Sequence, residues 1–153
     1  MITPDVCGLR DQFRIPGTKV VQFAFDGNPQ NPHLPQHYAP NVVTYTGTHD
    51  NNTTRGWFEK LQGQSRQRVL KYLNRPGGES RAVTTALMQT VWSSAASLAM
   101  APLQDVLNLG SEARMNVPGR STGNWRWRWN EEMLSPPAFE QLRDLTQATK
   151  RWR

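Results

Sequence analysis

Three short apolar runs punctuate this chain: Lys19-Val20-Val21-Gln22-Phe23-Ala24-Phe25, Asn41-Val42-Val43 leading into Thr44, and Ser97-Leu98-Ala99-Met100-Ala101. Helical patterns and long polar loops separate them. The order is helix, strand, loop, strand, helices, strand, loop, helix. Such alternation implies parallel strands joined by crossovers, an α/β architecture.

The helical segments carry their own start and stop signals. Thr3-Pro4-Asp5 places a cap, a proline at the first helical position and an acid at the positive end, so a helix runs through Val6, Leu9 and Phe13. Pro16 and Gly17 end it. Further helices are expected over Thr53 to Leu61, over Ser65 to Arg75, and over Arg81 to Ser94 with Ser80 as cap. Pro102 to Leu107 reads as a turn or short helix, and Ser135-Pro136-Pro137 opens the last helix toward Lys150. Asp26 to Pro40 is Pro-, Gly- and Asn-rich and reads as an ordered loop, a length usually associated with function. Its His33, His37 and Tyr38 are either polar contacts or ordinary loop residues.

Several classes of chemistry are disfavoured. Cys7 is the single cysteine, so no internal disulfide or thiolate cluster forms, and it is expected to pack as a small apolar residue. His33, His37 and His49 have no metal-ligand spacing, and neither metal nor organic cofactor is implied. No apolar run approaches the roughly 20 residues of a membrane span, and the start lacks a signal-peptide pattern, which suggests a soluble, cytoplasmic protein without a membrane partner. The net charge is +6, but the basic residues are scattered, as on a solvated surface.

One strand end stands out. After Asn41-Val42-Val43 come Thr44-Tyr45-Thr46-Gly47-Thr48-His49-Asp50-Asn51, and then a helix. Polar residues at the carboxyl end of a strand are how α/β barrels build active sites. The competing local reading is a strand-to-helix turn capped by Asp50 or Asn51.

A second segment, Trp125-Arg126-Trp127-Arg128-Trp129, alternates aromatic and cationic side chains. If extended, it has one aromatic and one cationic face, fit to stack sugars, to stack bases or to sit at an anionic interface. The rival reading of the chain is therefore a basic, Trp- and Arg-rich module that binds nucleic acid or membrane, whose affinity would fall steeply with salt.

Five segments together carry a resemblance: Ile2-Thr3-Pro4-Asp5-Val6, Lys19 to Pro29, Tyr45 to Asn51, Ser111-Glu112-Ala113-Arg114-Met115-Asn116-Val117-Pro118-Gly119, and Gly123-Asn124-Trp125. In that order they resemble the C-terminal part of the 4-alpha-glucanotransferases, the amylomaltase or disproportionating-enzyme family, nearly from end to end. The resemblance implies a TIM (β/α)8 barrel of which residues 1–153 form about three β/α units, the sixth to eighth strands, with no second domain. It also implies an α-1,4-glucan or maltooligosaccharide substrate and a retaining double displacement. Within it, the Trp segment is mainly a loop with buried tryptophans, and no nucleic-acid partner is expected.

That mechanism requires a nucleophile and an acid/base about 5 Å apart. The resemblance places Asp50 as a third acid holding hydroxyls of the distorted sugar, with His49, Asn51 and Asn116 as substrate contacts. The family's Glu-Asp-Leu-Gly segment, which carries the acid/base, does not occur here, and Asp5 and Asp11 fit helix positions rather than strand ends. The chain alone is therefore expected to be inactive and to need the remaining N-terminal part of the barrel as a partner. Three strands do not close an eight-stranded barrel, so Val20, Phe23, Val43 and Leu98 are expected to lack part of their core.

Overall fold

The computed structural model describes residues 3–151; Met1 and Ile2 lie outside them, so the start of the Ile2–Val6 motif is not described. Strands β1 (Gly17–Val20), β2 (Val42–Tyr45) and β3 (Leu98–Met100) form one parallel sheet in the order β1-β2-β3. Gly17 pairs with Val42 and Val20 with Tyr45, while Val43 pairs with Leu98 and Tyr45 with Met100. β2 is central, and β1 and β3 are the edges.

Among the described residues six helices accompany this sheet: α1 (Pro4–Gln12), α2 (Thr54–Lys60), α3 (Gly63–Tyr72), α4 (Ser80–Trp92), α5 (Leu103–Val106) and α6 (Pro136–Ala148). The β/α alternation and the two connections between the strands, a loop after β1 and helices α2 to α4 after β2, match the pattern expected from the sequence. α3 stops early because Asn74 adopts φ +51°, a left-handed conformation that closes a helix. Ser80 is the first residue of α4 rather than its cap, and its hydroxyl donates instead to Glu59 Oε1 at 2.8 Å.

The core lies between the sheet and the helices. Phe58 of α2, Val69 of α3 and Val83, Leu87 and Val91 of α4 are completely buried, joined by Val21, Phe25 and Leu34. Leu142 and Leu145 of α6 pack against them. Burying each large side chain contributes about 1.5–3 kcal/mol before conformational entropy is subtracted. Arg151 ties the end of α6 to α4, donating through Nε to Trp92 O at 2.6 Å and through Nη2 to Ser94 O at 2.8 Å.

The first strand is shorter than the run 19–25 suggests. It begins at Gly17 and ends at Val20, because Val21–Phe23 forms a 3-10 turn that divides the apolar run between two surroundings. Val21 and Phe25 enter the helix-side core, whereas Phe23 is 53% exposed. Val20, expected to be short of partners, is buried. The Asp26–Pro40 loop folds back along this edge, and His33 Nδ1 accepts the Val20 N–H at 3.0 Å. His37 Nε2 lies 2.9 Å from Pro29 O, and Tyr38 donates to His33 O at 2.8 Å, so these residues hold the loop itself.

The opposite face of the sheet is sparsely covered. Leu98 and Met100 are exposed and Val43 is partly exposed. α1 buries none of its residues, so Cys7 is only partly covered rather than packed in a core. An α/β layer with helices on one side and apolar strand residues open on the other is what one sector of a closed barrel presents.

Candidate functional site

The site forms where the carboxyl ends of β2 and β3 meet. The Thr46 amide extends the ladder past β2 by donating to Met100 O at 3.1 Å, and the chain then turns through Gly47 to Asn52. α2 is capped by Thr53, whose hydroxyl accepts the Gly56 N–H at 3.1 Å. Neither Asp50 nor Asn51 caps this helix. Asn51 instead closes a turn inside the loop, its Oδ1 accepting the Thr48 amide at 3.0 Å and the Thr48 hydroxyl at 2.8 Å.

Asp50 and Asn116 come together from different loops. Asn116 Nδ2 donates to Asp50 Oδ1 at 2.6 Å, and the Asn116 amide donates to His49 O at 3.1 Å. His49 Nε2 is 3.4 Å from the same Asp50 oxygen, and both side chains are about half exposed. Arg114 braces the pair: Nη2 donates to Asp50 O at 2.6 Å and Nε to Asn116 O at 2.7 Å. Among the described residues no donor reaches Asp50 Oδ2, which leaves it open to solvent-borne hydroxyls.

Beside His49 the loop after β3 supplies aromatic surface. The His49 and Trp125 rings have centroids 5.2 Å apart at 37°. Trp125 sits at φ +60°, unfavourable for a bulky L-residue by roughly 1–2 kcal/mol, and its amide donates to Met115 O at 2.7 Å. Trp125, Trp127 and Trp129 all line one depression of about 330 Å³ together with His49, Pro102 and Met115. The aromatic residues thus share a face, but Trp125 and Trp129 are half exposed rather than buried. Arg128 does not form a free cationic face, since Nη1 donates to the carbonyls of Trp125 and Trp127 at 2.7 and 2.8 Å.

A second depression of about 390 Å³ opens at the strand ends, lined by Thr18, Tyr45, Gly47, His49 and Met100. His49 therefore stands between the two. A larger cavity, about 630 Å³, lies elsewhere, between Tyr38, Tyr72, Arg75 and Gln89.

Two supporting residues carry no obvious signal in the sequence. Asp105 of α5 is 2% exposed and accepts from the hydroxyl of Thr46 (2.5 Å), the hydroxyl of Thr54 (2.6 Å) and the amide of Thr54 (2.7 Å). Burial pushes its carboxyl above the usual range, partly offset by those same bonds. Gln22, also buried, donates through Nε2 to Asn52 O at 3.0 Å. Gly56 lets α2 approach the turn at Ser111: a Cβ there would lie 2.7 Å from the Ser111 nitrogen.

A parallel α/β layer that gathers an acid, a histidine and an asparagine at its strand ends, under an aromatic loop, defines a sector of a (β/α)8-barrel enzyme. Residues 1–134 match the family model described as 4-alpha-glucanotransferase, and the chain belongs to that family. It is 49% identical to the 4-alpha-glucanotransferase of Thermus thermophilus over 156 aligned residues, covering 99% of this chain and 31% of that protein. The Synechocystis enzyme is 48% identical, covering 88% and 26%. The chloroplastic/amyloplastic enzyme of Solanum tuberosum is 47% identical, covering 93% and 24%. The amylomaltase of Streptococcus agalactiae in complex with acarbose superposes with a TM-score of 0.93 at 28% identity, over 100% of this chain and 31% of that one. The chain spans about a third or less of the length of these relatives, and its fold is a TIM-barrel fragment with a three-stranded parallel sheet.

Proposed function

We propose that residues 1–153 form the C-terminal segment of one catalytic barrel, contributing its sixth to eighth strands to a cytoplasmic 4-alpha-glucanotransferase. The observation that carries this reading is the Asn116–Asp50 bond, which joins two strand-end loops into one polar corner. In that corner Asp50 Oδ2 accepts hydroxyls of an α-1,4-glucan ring, His49 and the Asn116 amide group hold neighbouring hydroxyls, and Asn51 keeps the loop closed while facing the aromatic depression. A carboxylate accepting charge-assisted hydrogen bonds holds them most strongly when the ring flattens and positive charge develops.

The nucleophile and the acid/base come from segments outside this sequence, whether on the same polypeptide or a separate one. Asp5 lies in the first turn of α1, and Asp11 pairs with Arg10 at 2.7 Å on an exposed helix face, so neither approaches the strand ends. The reaction then transfers a glucanyl group from the nucleophile to another maltooligosaccharide, with no metal or organic cofactor. The acarbose complex of the Streptococcus agalactiae amylomaltase makes acarbose a suitable ligand to try here.

The test is incubation with maltotriose, with and without the segments that close the barrel. The expected result is glucose and longer maltooligosaccharides only in the assembled protein. An assembled barrel that binds neither maltotriose nor acarbose and releases no glucose overturns the reading.

A further inference from the structure

We propose that Asp105 is a positioning residue for the sugar-binding loop, holding Asp50 in place by pinning both ends of the segment that carries it. This rests on the glucanotransferase reading above. Thr46 lies immediately before the turn and Thr54 immediately after it, and all three hydrogen bonds that the Asp105 carboxylate accepts come from these two residues. Everything between them, Gly47 to Thr53, is the loop of His49, Asp50 and Asn51. Among the described residues the buried carboxylate thus bonds the loop's boundaries and nothing else.

The bonding has a fixed sense. Gln22 Nε2 lies 3.4 Å from Thr54 Oγ1, which receives from Gln22 and donates to Asp105 Oδ2 at 2.6 Å. A chain of hydrogen bonds donated from Gln22 to Thr54 and from Thr54 to Asp105 crosses from the turn after β1, through α2, to α5 after β3. It couples the loop to elements adjoining all three strands. A carboxylate suits this place because three donors converge on two oxygens. An amide would set its own N–H among them and force at least one hydroxyl to turn away.

Burying an acid is costly, and an apolar residue of similar volume satisfies a core at least as well. What Asp105 supplies beyond packing is a single geometry for the loop. The consequence belongs to the chemical step: an Asp50 that drifts by about 1 Å still meets a ground-state sugar but loses the transition-state contact, a change worth about 100-fold.

The experiment uses the assembled barrel and maltotriose. Asp105→Asn is expected to lower kcat at least about tenfold with KM within about twofold. Thr54→Val is expected to do the same, and Thr54→Ser, which restores the hydroxyl, to recover most of the loss. In parallel, hydrogen exchange of the Thr48 amide, which bonds to Asn51 inside the loop, is expected to accelerate in Asp105→Asn while the β2 amides keep their rates. Wild-type kcat together with unchanged Thr48 exchange in Asp105→Asn overturns the proposal. If Asp105→Asn fails to fold, Thr46→Val replaces it, and equal kcat in Thr46→Val, Thr54→Val and wild type overturns the proposal. An inactive wild-type barrel refutes the glucanotransferase reading instead, and the exchange measurement still decides the loop.

Discussion

Asn116 Nδ2 lies 2.6 Å from Asp50 Oδ1, a bond between side chains 66 positions apart that ties the loop after β2 to the loop after β3. The second oxygen of Asp50 has no protein donor among the described residues. Asp50→Asn keeps the shape but removes the charge, so the assembled barrel is expected to lose about 100- to 1000-fold in kcat, the scale for losing one transition-state contact. Steady-state kinetics with maltotriose check this, and a variant with near-wild-type kcat shows that Asp50 does not hold the sugar.

The helix cap and the candidate acid are separate residues, which makes their effects separable. Thr53 caps α2 through its bond to Gly56 N–H, so Thr53→Ala is expected to cost about 1 kcal/mol of stability. Asp50 is half exposed, and Asp50→Asn is expected to change stability by less than about 0.5 kcal/mol. Denaturant midpoints of the two variants make the comparison.

Arg114 reaches the carbonyls of Asp50 and Asn116 with two different nitrogens of one planar group. A lysine ammonium cannot span both in that fork. Arg114→Lys is expected to lower kcat/KM at least about tenfold with little change in the unfolding midpoint. Equal kcat/KM in the variant shows that the two loops keep their relation without the fork.

Much of the fold can be read from the sequence because it rests on strong local signals. Thr3-Pro4, Ser135-Pro136-Pro137 and the apolar spacing of Val83, Leu87 and Val91 correctly place α1, α6 and α4. The end of β1 was hidden because Val20 to Phe25 is apolar at every position but Gln22 while serving two surroundings, and only tertiary packing separates them. At the site, His49, Asp50 and Asn116 stand in motifs, but Arg114 acts through backbone carbonyls that no side-chain pattern encodes. Asp105 follows Pro102 at the start of a helix, where an acid ordinarily faces solvent near the positive end. Its burial depends on Thr46 and Thr54, residues more than 50 positions away.

His33 links pH to the covering of the β1 edge. Nδ1 accepts the Val20 N–H, so the proton of the neutral ring is on Nε2, and burial followed by the Lys19 charge lowers the pKa below its ordinary value. The folded state therefore binds this proton less readily than the unfolded chain. The His33 contribution is fully present above about pH 6.5 and is lost as pH falls through that value toward the lowered folded one. His33→Gln, which retains an acceptor, is expected to lose less stability between about pH 7.5 and about pH 5.5. An identical pH dependence in both proteins assigns the effect to other groups.

The open face of the sheet sets how the isolated chain behaves. Leu98 is 50% exposed, Met100 43% and Phe23 53%, and β1 and β3 each present an edge among the described residues. Register puts Val43 beside Leu98 and Tyr45 beside Met100, so these side chains form one continuous apolar strip. Exposed strips bounded by unpaired edges associate with one another at micromolar and higher concentrations. The isolated chain is therefore expected to self-associate in sedimentation velocity, and Leu98→Lys with Met100→Lys to reduce it. The same double substitution places two ammonium groups where the remaining barrel strands would pack, so it is expected to weaken assembly with those segments. An isolated wild-type chain that stays monomeric at about 50 μM, or a double variant that assembles as tightly as wild type, shows that this strip is not the surface on which the barrel closes.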